Sequence, residues 1–426
     1  MISPADYPLW NSPAMSAYLK EVSPETMLAE GRGVRVRDAG GRWFLDARSG
    51  LWNVTLGYDH PGVKEAIKRQ LDTLPYANLI GYGRPSALSL TAAGALLPHL
   101  PGHLSKIRYC GNGSQAVETA VLLSRFLHRA EGAPEREAVF GMWRGFHGLG
   151  AGAGALTGIP YLHHQAGPLL PGVAHAPGPF ESHGDGGTED LRLAMADYGP
   201  ERISAVVVEP VVGEGVHVLT EDYLRSLAGF CRSNGIHLII DEVTTGMGRT
   251  GAFTRTGQLG LRPDLLTLGK GLTSGYAPLS AVVLSAEFYQ RLHQLPLERQ
   301  LFVGSTHDGH PLALAASLAV VEALTTEGVL DNVRERGREL EQRLNDVVKR
   351  HPSATAVRGT GLMYAIEVDR PDLLRHAMEA RGVLVSTLAR WPAIVIIPPL
   401  VISADEVEEI TLVLDQALGE LPGLAG

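Results

Sequence analysis

Four short segments carry residue types that could do chemistry. Gly111-Asn112-Gly113-Ser114-Gln115-Ala116 sits between an apolar run and a helical pattern. Free amides at a helix N-terminus favour an anion, Gly113 lets the backbone come close, and Ser114 adds a hydroxyl. A phosphate seat fits, and so does a plain turn with a Ser cap. Asp241-Glu242 follows the run His237–Ile240, where a carboxylate either caps a loop or pairs with a buried cation. In Leu268-Gly269-Lys270-Gly271-Leu272 a lysine lies between glycines after an apolar run. Lysine is usually a solvated surface group. Desolvation lowers its pKa and makes the amine a nucleophile toward carbonyls. Trp143-Arg144-Gly145-Phe146-His147-Gly148 offers an aromatic face to a planar ligand, or a core Phe beside an incidental His.

Taken together the four ask for one ligand. An aldehyde needs Lys270, a phosphate needs the 111–116 amides, a ring nitrogen needs Asp241, and a flat ring needs a face. Pyridoxal 5′-phosphate has all four features. Competing motifs fail. Gly148–Ala155 matches a loose dinucleotide fingerprint, but the next acidic residue is Glu181 and no clear strand precedes it. There is no Walker motif and no His-Glu-x-x-His helix, and His147, His163, His164 and His307 form no ligand set at metal spacing, so no metal is expected.

The elements that must position these residues alternate strand and helix. Alternation over Gly33–Arg37 and Arg42–Asp46, with a turn between, predicts a hairpin. Helices are expected from Asp59, over Ser86–Leu97, Ala116–Leu127 and Asp222–Asn234, and strands over Ile107–Cys110, Ala205–Val208, His237–Ile240, Leu265–Leu268 and Leu279–Leu284. That repeat gives a largely parallel sheet with covered faces. After Gly304 the pattern becomes α+β. Long helices span Leu312–Thr325 and Val329–His351, strands cover Gly361–Val368, Val383–Leu388 and Ile394–Ile397, and a last helix runs Asp405–Leu418. The Pro-, Gly- and His-rich stretch His163–Gly187 reads as a long surface loop.

Composition excludes other classes. The chain has 426 residues, 45% hydrophobic and 19% charged, which suits a globular protein of two or three lobes. A net charge of −9 argues against nucleic-acid binding. No apolar stretch reaches the ~18 residues of a membrane helix, and the most apolar run, Ile394–Ile402, is broken by Pro398 and Pro399. The start of the chain lacks a signal-peptide pattern, so a cytoplasmic enzyme without membrane partners is expected. Cys110 and Cys231 are too few for a disulfide framework and read as core thiols. Glycine, at 50 residues, is well above its usual ~7% share.

Further blocks then resemble a known family. Asp241-Glu242-Val243, Gly246, Gly248-Arg249-Thr250-Gly251, Pro263-Asp264 and Gly269-Lys270-Gly271 look like the class III aminotransferases of ornithine and omega type. Glu209–Gly215 and Gly304-Ser305-Thr306 match in order, and Ser49–Val54 with Phe146-His147-Gly148 resembles the amine:pyruvate branch. The resemblance spans nearly the whole chain. It implies an α/β fold of type I, with a large domain at 49–305 and a small domain made of 1–48 and 306–426. It implies a transaminase that passes an amino group by a ping-pong route from an amine or amino acid to a keto acid or aldehyde. A biosynthetic enzyme for a complex or peptidyl aldehyde, a same-fold aminomutase or racemase, and a non-catalytic cofactor binder remain as alternatives.

The roles it implies fall on named positions. Lys270 bonds the cofactor aldehyde and moves the proton between Cα and C4′, and Asp241 pairs with the ring nitrogen. Phe146 and Val243 flank the ring, His147 belongs to the cofactor site, and Glu209 supports it. Gly113 and Ser114 hold the phosphate, and Thr306 reaches the phosphate of a neighbouring subunit in a homodimer. Leu51 and Trp52 line the substrate pocket across that interface. The sequence departs from the family at Gln115, Val117, Thr244 and His307-Asp308-Gly309-His310. Val395 stands where members acting on α-amino acids carry an Arg, and Arg390 is the candidate for a mobile carboxylate-binding Arg.

Overall fold

Most of the expected elements form, in a computed structural model that describes residues 24–80, 84–167, 169–180, 189–296, 300–388 and 391–421. The N-terminal hairpin is β2 (Arg35–Asp38) and β3 (Trp43–Asp46), and an unexpected strand, β1 (Leu28–Arg32), pairs with β2. The central sheet has seven strands. In chain order they are β4 (Leu104–Cys110), β5 (Ala138–Met142), β6 (Val173–Ala176), β7 (Ile203–Val208), β10 (His237–Glu242), β11 (Leu265–Leu268) and β12 (Ser280–Ser285). Between β7 and β10 lies the small ribbon β8 (Val211–Val212) and β9 (His217–Val218).

The strand order is β4-β12-β11-β10-β7-β5-β6. Pairings from β6 through β11 are parallel, and β12 alone runs against its neighbours. So β4, β5, β7, β10 and β11 all end at one edge, where open α/β sheets bind ligands. Every residue of β5, β7, β10, β11 and β12 is buried, as helices on both faces require.

Two local differences bear on the site. The helix after β4 begins at Gly113, one turn earlier than periodicity suggests, and runs to Ala130. Asn112 causes this: its side chain accepts from the Gln115 amide at 3.0 Å and caps the first turn. The stretch expected as one long loop is partly ordered structure. The helix Pro160–Ala166 covers its start, and β6 joins the sheet edge through β5. Val-Ala-His-Ala has weak strand propensity, and pairing with the buried β5 overrides it. Residues 181–188 of that stretch lie outside the described residues.

The C-terminal part forms a second sheet in the order β13-β14-β17-β16. Its strands are β13 (Ala354–Thr360), β14 (Met363–Val368), β16 (Ser386–Leu388) and β17 (Trp391–Ile396). The run expected as one strand over 383–388 is divided. Its first part, β15 (Val383–Leu384), instead pairs in parallel with β3. The N-terminal strands therefore belong to the same layer as the end of the chain. The helix Val329–Arg350 packs on this lobe, and no single helix among the described residues is long and apolar enough to cross a membrane.

Gly337 sits inside that helix, where a Cβ would stand 2.4 Å from the Gly361 carbonyl oxygen. Gly337→Ala should therefore destabilise the protein by about 1–3 kcal/mol, although alanine is the better helix former by ~1 kcal/mol. Urea unfolding measures the change, and a stabilised variant would refute the close-packing argument.

Candidate active site

The shared strand edge collects the chemistry. Asp241 comes from β10, Lys270 follows β11, Glu209 follows β7, Phe146 and His147 follow β5, and Gly113 and Ser114 follow β4. Asp241 is buried and fully bonded. Its Oδ2 pairs with His147 Nδ1 at 2.8 Å, and its Oδ1 accepts from Thr267 Oγ1 at 2.7 Å and from the Val243 amide at 3.0 Å. Burial pushes the carboxyl pKa up, but His147, the Thr267 hydroxyl and the amide outweigh it and hold it below its ordinary value. For His147, burial pulls down, and the Asp241 bond and charge together with Glu209 win and raise the imidazole. Each partner therefore favours the charged form of the other.

Lys270 meets Asp241's strand from β11. Its Nζ lies 2.6 Å from Thr244 Oγ1 and 5.3 Å from the centroid of the Trp52 ring. Burial lowers the amine's pKa, against the opposing pull of Glu209 and Asp241. Glu209 accepts from the Phe146 amide at 2.8 Å and the Gly213 amide at 3.1 Å. Burial is the main reason its carboxyl is raised to about 7. Glu242, next to Asp241, instead caps the 254–258 turn through the Thr256 and Arg255 amides at 2.6 and 2.9 Å.

Val243 sits where three loops meet. A Cβ on Gly113 would lie 3.0 Å, and one on Gly269 3.1 Å, from Val243 Cγ1. Glycine at both positions lets the helix N-terminus and the Lys270 turn close on one side chain without displacing it. Phe146 is half-exposed, with its amide fixed by Glu209. Trp52 reaches Lys270 of its own chain, so it needs no partner subunit to line the site. Asp46 accepting from the Gly50 amide at 2.6 Å and Ser274 Oγ accepting from the Thr55 and Leu56 amides at 3.0 and 2.7 Å hold that segment. Leu51 is 78% exposed.

Among the described residues seven non-glycines have left-handed φ, and Trp52, Arg144, Met247 and Lys270 (φ +42°) lie on these loops. Such backbone costs of order 1–3 kcal/mol each and concentrates at functional sites. Thr306 is exposed, and its carbonyl accepts from Tyr76. Arg390 lies outside the described residues. Val395 is buried in β17 against Val211 and Met363, so no cation occupies that position.

Several partners escaped the sequence reading. Thr267 is directly opposite Asp241 in the strand register, and a lone hydroxyl in Leu-Leu-Thr-Leu was its only signal. The unusual Gln115 and Asp308 explain each other. Gln115 takes the Gly111 amide at 2.8 Å and donates to Asp308 Oδ1 at 2.8 Å, where a Glu would face another carboxylate. The glycine-rich decoy is a short helix, Ala151–Leu156, whose Gly152 and Ala153 amides donate to Glu118 at 3.0 Å. A cavity of about 520 Å³ at the opposite, amino end of β10 and β11, lined by Arg232, Arg262 and Asp264 among others, contains none of these residues.

Pyridoxal phosphate fits this donor set. A buried anion stands ready for a ring nitrogen, a desolvated amine for an aldehyde, a helix N-terminus for a phosphate, and the half-exposed Phe146 for the face of a flat ring. The fold and site therefore define a fold-type-I pyridoxal-phosphate enzyme. Residues 18–418 match the family model "Aminotransferase class-III". The chain belongs to the class III aminotransferases and is a pyridoxal-phosphate-dependent transaminase of omega-like type.

An omega-aminotransferase of Caulobacter vibrioides is 34% identical over 426 residues, covering 93% of this chain and 94% of the relative. Putrescine–pyruvate aminotransferase of Pseudomonas aeruginosa is 29% identical over 92% of this chain and 90% of its own length. The solved omega-aminotransferase of Paracoccus denitrificans superposes with a TM-score of 0.92 at 27% identity, covering 99% of this chain and 98% of that one.

A carboxyl raised from its ordinary 4.5 to about 7 keeps its proton in the folded protein where the unfolded chain loses it. Stability falls with pH wherever the folded state binds the extra proton. The cofactor-free protein should lose stability between those pH values, and Glu209→Gln should flatten that slope. Urea unfolding at about pH 5 and about pH 6.5 tests this, and parallel slopes in the two proteins would contradict the burial argument.

Proposed function

We propose that the chain is an amine:pyruvate-like transaminase whose site residues act in the roles their positions suggest. The observation that carries this reading is the buried Asp241–His147 ion pair on the same sheet edge as the desolvated Lys270. When bound, the cofactor supplies an electron sink that lets a proton leave the amino carbon. Lys270 Nζ takes that proton and returns it, because burial keeps the amine available as a base. Asp241 holds the positive charge of the ring nitrogen, and His147 keeps Asp241 ionised and oriented.

Phe146 and Val243 flank the ring, Glu209 fixes the Phe146 loop, and Gly113 and Ser114 take the phosphate. Leu51 and Trp52 bound the substrate. The donor gives up its amino group and leaves as its carbonyl product before the acceptor enters, giving ping-pong kinetics. We read 49–305 as the cofactor-binding domain and 1–48 with 306–426 as the small domain. We also read the protein as a homodimer in which Thr306 serves the neighbour's phosphate. Large exposed apolar groups at Leu51 (78%), Leu149 (69%) and Phe302 (79%) support a covered interface on the site side. A cytoplasmic location suits the two free, buried thiols.

With Val395 in the core, carboxylate recognition falls to Arg390. A panel of amine donors with pyruvate should interconvert the two cofactor absorbance forms, and Lys270→Ala should lose more than about 10³-fold of that rate. Arg390→Ala should slow pyruvate far more than a small aldehyde of similar size. Equal losses with both acceptors would remove Arg390 from the carboxylate role, and a Lys270→Ala enzyme of normal rate would overturn the mechanism.

A further inference from the structure

Position 244 is one of the places where the sequence leaves the family pattern, and it touches the reactive amine. Among the described residues, Thr244 Oγ1 at 2.6 Å is the one hydrogen-bond partner of Lys270 Nζ. The Trp52 ring, 5.3 Å away at its centroid, faces the same nitrogen. We propose that Thr244 is a positioning residue that seats the Lys270 amine whenever that amine is not bonded to the cofactor. The proposal deepens the transaminase reading and rests on it for the role of Lys270.

The seat is rigid on both sides. Before it, the Val243 amide is bonded to Asp241 Oδ1 at 3.0 Å, and the Val243 side chain is wedged between Gly113 and Gly269. After it, Thr245 Oγ1 donates to Glu242 Oε2 at 3.0 Å, and the Gly246 amide donates to the Glu242 carbonyl at 2.9 Å. A β-branched side chain adds a restricted χ1. The lysine's own backbone is also fixed, in a turn closed by the Leu272 amide on the Gly269 carbonyl at 2.8 Å.

A hydroxyl suits a group that gains and loses a proton. It accepts from the ammonium and can donate to the lone pair of the amine. The bond to the charged form is the stronger one, so the Thr244 hydroxyl favours holding a proton on Lys270 against the cost of burial.

The test uses enzyme loaded with pyridoxamine 5′-phosphate, which lacks an aldehyde and leaves Lys270 free. Carbamylation of Lys270 by cyanate, followed against pH by peptide mass spectrometry, reports the proton midpoint of the amine. Thr244→Val and Thr244→Ala should lower that midpoint by about one pH unit. They should also slow the donor half-reaction ~10-fold. Thr244→Ser should restore both. An unmoved midpoint in both hydroxyl-free variants, or a Ser variant that behaves like Val, would overturn the proposal. A Thr244-dependent midpoint in an enzyme that accepts no amine donor would leave the seat standing and defeat the transaminase reading instead.

Discussion

A carboxylate held ionised in a dry sheet edge is the constraint on which the rest depends. Leaving a charge there alone costs several kcal/mol. Asp241 avoids that cost through His147, Thr267 and the Val243 amide, the first two from distant parts of the chain. Strand register places Thr267 opposite it, and the loop after β5 must fold back to deliver His147. The site thus exists only when β5, β10 and β11 are all in place. Removing one partner of such a buried pair typically costs about 3–5 kcal/mol.

The same edge holds a second, opposing demand. Lys270 must lose charge where Asp241 must keep it. Burial serves the amine, and specific bonds rescue the carboxylate from that same burial. Arg249 adds a further buried charge. It is buried, it donates to the Leu362 and Pro398 carbonyls at 2.9 and 2.5 Å, and burial pulls it down to about 9. Through Ser49, at 3.3 Å, it ties the segment carrying Trp52 to the C-terminal lobe. The wall of the site is therefore built from both ends of the chain.

Much of this was legible in the sequence, for reasons that differ by residue. Lys270 and Asp241 are legible only as members of a set: each alone reads equally as a surface lysine or a loop cap, and only together with the 111–116 and 143–148 segments do they ask for one ligand. The strands around them were visible as short apolar runs. Val173–Ala176 was not, since its strand character comes from its neighbour β5 rather than from its own residues. The divided run at 383–388 was hidden because one apolar stretch serves two sheets. Thr267, Ser49 and Glu118 were silent because their partners are distant in sequence and set only by packing. The excess glycine now has several uses: close approach to Val243 at 113 and 269, and tight helix contact at 337.

The central claim is that Asp241, whose carboxyl is held below its ordinary pKa, serves as the partner of the cofactor's ring nitrogen. The direct measurement is the ¹⁵N NMR shift of the pyridine nitrogen in enzyme loaded with ¹⁵N-labelled cofactor. A ring nitrogen that stays protonated from mildly acidic through mildly alkaline pH, and loses that proton in Asp241→Asn, is the predicted result. A nitrogen already unprotonated at neutral pH in the native enzyme would contradict the account.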